Sequence, residues 1–573
     1  MSIIAGIYCR QANVQIPDSI RESLRRLISR DTTDKVLEFG DERTFFVKVD
    51  IGAFAGSGHY EDDRGFAVLA GEPLLKSGVQ GRQSDLCQIA AGFEAGSFDV
   101  LRSARGVFCI ADYRAQSGVL SLATDKLGIR PLYYTVKDNY VIFSSALRVL
   151  EQLSDVPKTM NLRAVTEIAA LGYALADRTP YSDISVLKAG EMLQANGPNI
   201  SRSFYWQWNE IKPSSGSEDD LLTELYSRFD GAVSTRLRSD RSTVAYLSGG
   251  LDSRCVVASL CSQNAHVHTF NFARPETQDQ VLGRYFAERV EVTHREVPKA
   301  SGDNVPDYST LMADARGGQT FAPERPNLVW SGEGGSVGLG HVHLGRRIVE
   351  LMREGRTDAA IDEYFERENV YLSPRLLRPE IFEAVDGIIP QGVREELAEV
   401  TASDPARSFF LFLMLNDQRR KLAGHFEDID RHRLEFQLPF FDSEFVEFII
   451  SIPVDMCMEH KLYVKWLNLF PEPVSAVPWQ AYPGHEPCPH AIPENLAYQW
   501  QTDYLTAEKR SVKSALIREA SEMLGANDFP AAILSRKNFR LAALIHRTGW
   551  RDYGYVIETA GIFHRYWRKC NGE

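Results

Sequence analysis

The stretch YLSGGLDSRCV, residues 246–256, puts Ser248, Gly249, Gly250, Asp252 and Ser253 where a short apolar run gives way to a helical one. At such a turn, glycines let backbone N–H groups approach a polyanion, and the following helix adds its positive N-terminal end. Ser248 and Ser253 bring hydroxyl donors, whereas Asp252 would repel a phosphate unless a cation lay between them. The set therefore predicts a magnesium-bridged pyrophosphate, with Asp252 as the metal carboxylate. Arg254 is either a bidentate anion ligand or an outward-facing helix residue. For an isolated Gly-Gly pair, a plain strand-to-helix turn is the ordinary alternative.

Such a loop needs a parallel sheet behind it, because ligands of open α/β sheets bind beyond the carboxyl ends of the strands. The flanking sequence predicts one. A helix at 221–237 leads into a strand at 242–250, a helix at 253–263, a strand at 266–273, a helix at 281–290 and a strand at 292–298. From about 345 onward the pattern is helical. The first two hundred residues read differently, as short alternating runs such as 43–56, 65–75, 106–125 and 133–145 separated by Gly, Asp, Asn and Ser turns. They predict antiparallel hairpins of an α+β half, and the polar, Pro- and Ser-containing NEIKPSSGSEDD (209–220) marks the boundary.

The chain is long enough for at least two domains, at 573 residues. Its formal charge of −13 argues against general nucleic-acid binding. The eight cysteines show neither a CxxC pair nor zinc spacing, so reduced thiols in a cytoplasmic protein are expected. No run of eighteen apolar residues occurs and MSIIAGIYCRQ lacks the pattern of a signal peptide, so no membrane association is expected.

With the strand before it, SGGLDS resembles the pyrophosphate loop of the ATP pyrophosphatases, which cleave ATP between its α and β phosphates and adenylate their substrates. It is unlike the GxxxxGK[ST] loop. WSGEGGSVGLG (330–340), RLEFQLPFFD (433–442) and EHKLYVKWL (459–467) resemble, in order, segments of the synthetase domain of the asparagine synthetase class B family. Relatives of that family include β-lactam synthetase, carbapenam synthetase and lasso peptide cyclases. AGIY (5–8), AGEPLL (70–75), ARGVFCIADY (104–113) and ATDKLGIRPLYY (123–134) resemble its N-terminal glutaminase-type domain.

The resemblance implies an α+β N-terminal-nucleophile (Ntn) sandwich of the type 2 glutaminase kind over residues 1–210. It implies an α/β ATP pyrophosphatase domain, adenine nucleotide alpha hydrolase-like, with a parallel sheet and added helices, over 211–573. It further implies that Leu247, Ser248, Gly249, Gly250, Asp252, Ser253, Phe272, Ser331 and Gly332 hold ATP and its Mg2+. Glu333 would assist proton removal from the attacking amine, and Lys461 would stabilise charge during adenylation and in the tetrahedral intermediate. Lys465, one turn beyond Lys461, is a weaker candidate of the same kind.

The pattern also departs from the family. A working glutaminase exposes an N-terminal cysteine thiolate; here position 2 is Ser2, whose hydroxyl is far harder to deprotonate and has no base nearby in sequence. Cys9 lies inside the first strand and is no substitute. The arginine-bearing RHRGPD segment has no counterpart in LEFGDERTFF (37–46), and Ala70, Gly71 and Glu72 replace NGE, although Asp85 matches the family's amine-binding aspartate. Ser336 stands where the family carries a second metal carboxylate. The basic cluster is replaced by PWQAYPGHEPCPH (478–490), a poor metal site but a suitable wall for the substrate pocket.

The expectation is a ligase that adenylates a carboxylate and joins it to an amine without making its own ammonia, as a lasso- or lactam-forming cyclase does, with a biosynthetic partner protein as an option. The alternatives are an asparagine synthetase, ammonia-dependent or glutamine-hydrolysing, and a non-catalytic scaffold.

Overall fold

The computed structural model describes residues 2–11, 14–75, 81–137, 139–297, 323–498 and 506–572, without the side chains of 506–509. Twelve strands make up the N-terminal part: β1 (Ser2–Cys9), β2 (Val36–Gly40), β3 (Thr44–Asp50), β4 (His59–Asp62), β5 (Gly65–Gly71), β6 (Phe108–Arg114), β7 (Val119–Thr124), β8 (Tyr133–Val136), β9 (Tyr140–Ser144), β10 (Ser185–Val186), β11 (Glu191–Asn196) and β12 (Asn199–Phe204). They form two antiparallel six-stranded sheets, in the orders β10-β8-β9-β1-β3-β2 and β12-β11-β7-β6-β5-β4.

All eight residues of β1 are buried, because both of its faces are covered. Side chains alternate across a strand, so Ile4 and Tyr8 meet Phe66, Val68 and Ala70 of β5 between the sheets. Ile3, Ala5 and Ile7 face outward onto Ile20, Leu24 and Leu27 of the helix Asp18–Leu27. On the far side, Ala67 and Leu69 of β5 pack against Leu86, Ile89 and Phe93 of the helix Arg82–Glu94. The layers run helix, sheet, sheet, helix. These two helices are absent from the hairpin reading of the sequence.

A second sheet system follows: β13 (Ser242–Tyr246), β14 (His266–Asn271), β15 (Thr293–Glu296), β16 (Leu328–Trp330) and β17 (Glu435–Gln437), all parallel and ordered β15-β14-β13-β16-β17. The chain moves outward from β13 to β15, then returns to the other side of β13 with β16. The order therefore reverses between β13 and β16, which is where a ligand crevice opens in an open parallel sheet. Beyond it the chain is mainly helical, and Val165 on Leu162–Leu171 shares a core with Phe539, Ile557 and Phe563 of the last helices.

Buried ion pairs join the two sheet systems. Arg130 donates to Glu435 of β17 at 2.5 Å, with side chains 2% and 0% exposed. Asp442 accepts from Arg236 at 2.6 Å and from Arg105 at 3.1 Å. Glu72 accepts from Arg238 and from Gln437. Among the described residues no helix is long and apolar enough to cross a membrane.

Candidate active site

The loop after β13 is held from several sides. Leu247 N–H donates to Phe270 and its carbonyl accepts from Asn271, so the loop is locked to the end of β14. Ser248 N–H donates to Ser253 Oγ at 2.9 Å, and Gly250 N–H to Ser248 Oγ at 3.3 Å. Gly249 N–H donates to Asp279 Oδ1 at 2.9 Å. A Cβ on Gly249 would lie 2.6 Å from the Gln278 carbonyl, so the approach of loop to neighbouring helix requires glycine. Phe272 caps the crevice end of β14 with its ring 5.5 Å from that of Tyr246.

The segment after β16 meets this loop. Ser331 is tied to β17 by its N–H to the Gln437 carbonyl, and its Oγ accepts from Glu333 N–H. Gly332 lies against Ser253, and a Cβ on Gly335 would fall 2.6 Å from Asp252 Oδ1. Ser336 donates through its N–H to Asp252 Oδ2 and through its hydroxyl to Oδ1, each at 2.9 Å, and Tyr463 donates to Oδ1 at 2.6 Å. These donors favour the ionised form, yet burial outweighs them and raises the Asp252 pKa above the ordinary aspartate value.

Asp252 and Asp279 both line a cavity of about 180 Å³ with Ser248, Gly250, Leu251, Ser336, Gln480, Ala481 and Tyr482. Burial raises the Asp279 pKa as well, against the Gly249 N–H. Glu333 is exposed and lies outside that lining; desolvation and then the Asp252 charge raise its pKa. Two carboxylates thus face one cavity, and neither Asp252 nor Asp279 forms an ion pair with a described Lys or Arg. Oxygen donors of this kind, left without a counter-charge, suit Mg2+. Asp279 is a further carboxylate on this cavity, one that the sequence motifs do not mark. Its only sequence signal is position, in the first turn of a Thr277-capped helix just past a neighbouring strand. Tyr463 was equally unmarked.

Lys461 is placed differently. Its ammonium pairs with Glu459 at 3.2 Å, 39% exposed, and Glu459 also binds Arg346. Glu459 and His460 adopt φ of +58° and +62°, which resets the phase of the helix Lys461–Trp466. Two residues apart on a helix means roughly 200° of rotation, so with Tyr463 turned inward Lys461 faces out. Lys465 pairs with Glu218 at 2.7 Å, outside the crevice. Arg254, read as an anion ligand or an outward residue, is neither: it is fully buried and donates only to backbone carbonyls.

The wall at 478–490 is aromatic. Tyr482 stacks on His460, and His460 and His485 share a hydrogen bond between their Nδ1 atoms at 2.7 Å. Burial pulls the His460 pKa down to about 3 and lowers that of His485, so this histidine pair is neutral near pH 7. His490 binds the Ser475 carbonyl. Among the described residues no cluster of three metal-ligating side chains occurs.

In the N-terminal sheets, Ser2 is 1% exposed. Its hydroxyl donates to Asp50 at 3.0 Å and accepts from Lys48 at 3.1 Å and Arg82 at 2.7 Å. The sequence offered no base near Ser2; the fold brings Lys48, whose pKa burial and then Arg82 lower to about 7. The Ser2 proton nevertheless points to Asp50. Cys9 is buried in β1, where burial raises its pKa, as expected of a structural thiol. Asp85 is buried too; burial raises its pKa to about 6, and its Oδ1 has no partner among the described residues.

The fold and crevice define a protein of two parts, an amidotransferase-type sandwich joined to a nucleotide-type parallel sheet. A family model described as a glutamine amidotransferase domain matches residues 77–206, and one described as asparagine synthase matches 224–323. Relatives include a putative glutamine-hydrolysing asparagine synthetase 2 of Methanocaldococcus jannaschii, 29% identical over 180 residues, or 30% of this chain and 35% of that protein. Glutamine-hydrolysing asparagine synthetase 3 of Bacillus subtilis is 28% identical over 184 residues, 30% of this chain and 29% of its own. Asparagine synthetase 1 of the same organism is 24% identical over 393 residues, 65% and 57%. The chain thus covers between 29% and 57% of the length of these relatives. It is similar to glutamine-hydrolysing asparagine synthetases in both of its parts.

Proposed function

We propose that the chain is an ATP-dependent carbon–nitrogen ligase that adenylates a substrate carboxylate, releases pyrophosphate, and lets an amine displace AMP to form an amide. The observation that carries this reading is the convergence of Asp252 and Asp279 on one cavity that Ser248, Gly250 and Leu251 also line, with Glu333 within reach of the Asp252 charge. Asp252 and Asp279 would hold Mg2+, which neutralises charge on the polyphosphate when bound. Leu247, Ser248, Gly249, Gly250, Ser253, Phe272, Ser331 and Gly332 frame the nucleotide. Glu333, its pKa raised, is suited to take a proton from the amine. Lys461 would join the site by exchanging Glu459 for the developing negative charge.

On this reading residues 1–210 form an Ntn-type domain without glutaminase chemistry and residues 211–573 the ligase domain. The amine comes from the substrate itself or from another small molecule. The neutral aromatic wall of Tyr482, His460 and His485 supports an acyl substrate larger and less charged than aspartate, of the kind a lasso- or lactam-forming cyclase takes. A second reading, a non-catalytic scaffold, draws support from the pairing of Lys461 with Glu459. ATP turnover with a carboxylate library separates them: the ligase releases AMP and pyrophosphate, release of ADP and phosphate would overturn the adenylation mechanism, and no binding of MgATP would favour the scaffold.

A further inference from the structure

Arg254 lies directly behind the phosphate-facing loop and is 0% exposed. Its Nε donates to the Gly250 carbonyl at 3.0 Å, Nη1 to those of Val474 and Val477 at 3.1 and 2.7 Å, and Nη2 to that of Pro478 at 2.9 Å. The guanidinium also faces the rings of Phe286 and Trp479, 5.1 and 5.8 Å from their centroids. Among the described residues it has no carboxylate partner, which is unusual for a buried cation. Burial accordingly pulls its pKa down to about 10.

The hydrogen bond to Gly250 has a geometric consequence. In a trans peptide the C=O of one residue and the N–H of the next point in opposite directions. By drawing the Gly250 carbonyl back, Arg254 turns the Leu251 N–H forward, toward the cavity that Leu251 lines. Gln480 N–H holds the Gly249 carbonyl at 2.9 Å, while the Gly250 N–H on the other side of that peptide donates to Ser248 Oγ. A free backbone N–H at the start of a helix is a donor suited to an anion. The remaining Arg254 donors hold the turn at 474–478, from which Gln480, Ala481 and Tyr482 reach the cavity.

We infer that Arg254 is a positioning residue of the adenylation site: it aims the Leu251 N–H, clamps the loop to the 474–482 wall, and carries a buried charge whose counter-charge is the bound polyphosphate. This rests on the adenylating reading of the crevice.

The test compares wild type, Arg254→Met and Arg254→Lys by calorimetry with MgATP and with adenosine, and by hydrogen exchange at 474–482 without ligand. Arg254→Met is expected to lose about 100-fold in MgATP affinity, the scale of a misplaced binding group, while adenosine affinity is retained. Arg254→Lys, which keeps the charge but not the fork, recovers part of the loss. Both variants exchange faster at 474–482. Equal losses for MgATP and adenosine, or an unchanged MgATP affinity, would overturn the inference. Should Arg254→Met fail to fold, the Lys variant still decides, since unchanged exchange there removes the clamp. A wild type that binds no MgATP overturns the adenylation reading instead, and the ligand-free exchange continues to test the clamp.

Discussion

Ser336 changes what Asp252 can do. Its hydroxyl and N–H orient the carboxylate together with Tyr463, and on the proposed reading the second metal carboxylate would be Asp279 on the helix after β14 rather than a residue of the segment after β16. Asp252→Asn and Asp279→Asn should each lower pyrophosphate release by at least about 100-fold with an unchanged melting transition. Normal rates in either would remove that residue from the metal site. Glu333→Gln should separate the two half-reactions, leaving pyrophosphate release intact and cutting amide formation by about 100-fold or more. The raised pKa values of Asp252, Asp279 and Glu333 also fix a pH dependence. A bound cation favours the ionised carboxylates, so MgATP binding should release protons and tighten as pH rises through their raised range. Calorimetry in buffers of different ionisation enthalpy reads that release, and proton uptake would contradict it.

At the scale of elements, β3 carries an unusual cost. Lys48 sits in its centre with its pKa lowered from 10.5 to about 7, burial being the chief cause. The unfolded chain therefore binds more protons than the folded one between those values, so this group adds stability as pH rises from about 7 toward 10. Denaturant titrations of wild type and Lys48→Met across that range should show the wild type gaining stability relative to the variant; parallel curves would mean that Lys48 stays charged in the fold. How much of the architecture the sequence discloses also varies by element. The loop 246–256 is legible because a glycine pair follows an apolar run, and β13 through β15 because strand and helix periods alternate. Asp279 is not, since its role comes from register against a loop thirty residues away. Tyr463 is hidden for a sharper reason: the phase of its helix is set by left-handed Glu459 and His460, residue types that do not announce that conformation. The phase turns Tyr463, rather than Lys461, onto Asp252.

Across the whole molecule, the two parts are joined by buried charges rather than by a flexible linker alone. Arg130→Met would leave Glu435 buried without its partner and should destabilise the protein by about 3–5 kcal/mol, read as a lower denaturant midpoint. Glutamine should yield no glutamate, because the Ser2 hydroxyl is sealed and its proton is directed at Asp50; stoichiometric glutamate would contradict this.

The same joints set an order of events during synthesis. Arg130 and Glu435 are 305 residues apart, and Arg105 and Asp442 are 337. At roughly 5–20 residues per second, a ribosome takes on the order of 15–60 s to deliver the partner that each early arginine awaits. Throughout that interval Arg105 and Arg130 of the N-terminal part are without Asp442 and Glu435. Tyr463 emerges later still, so the nucleotide crevice is assembled only when most of the chain has been made.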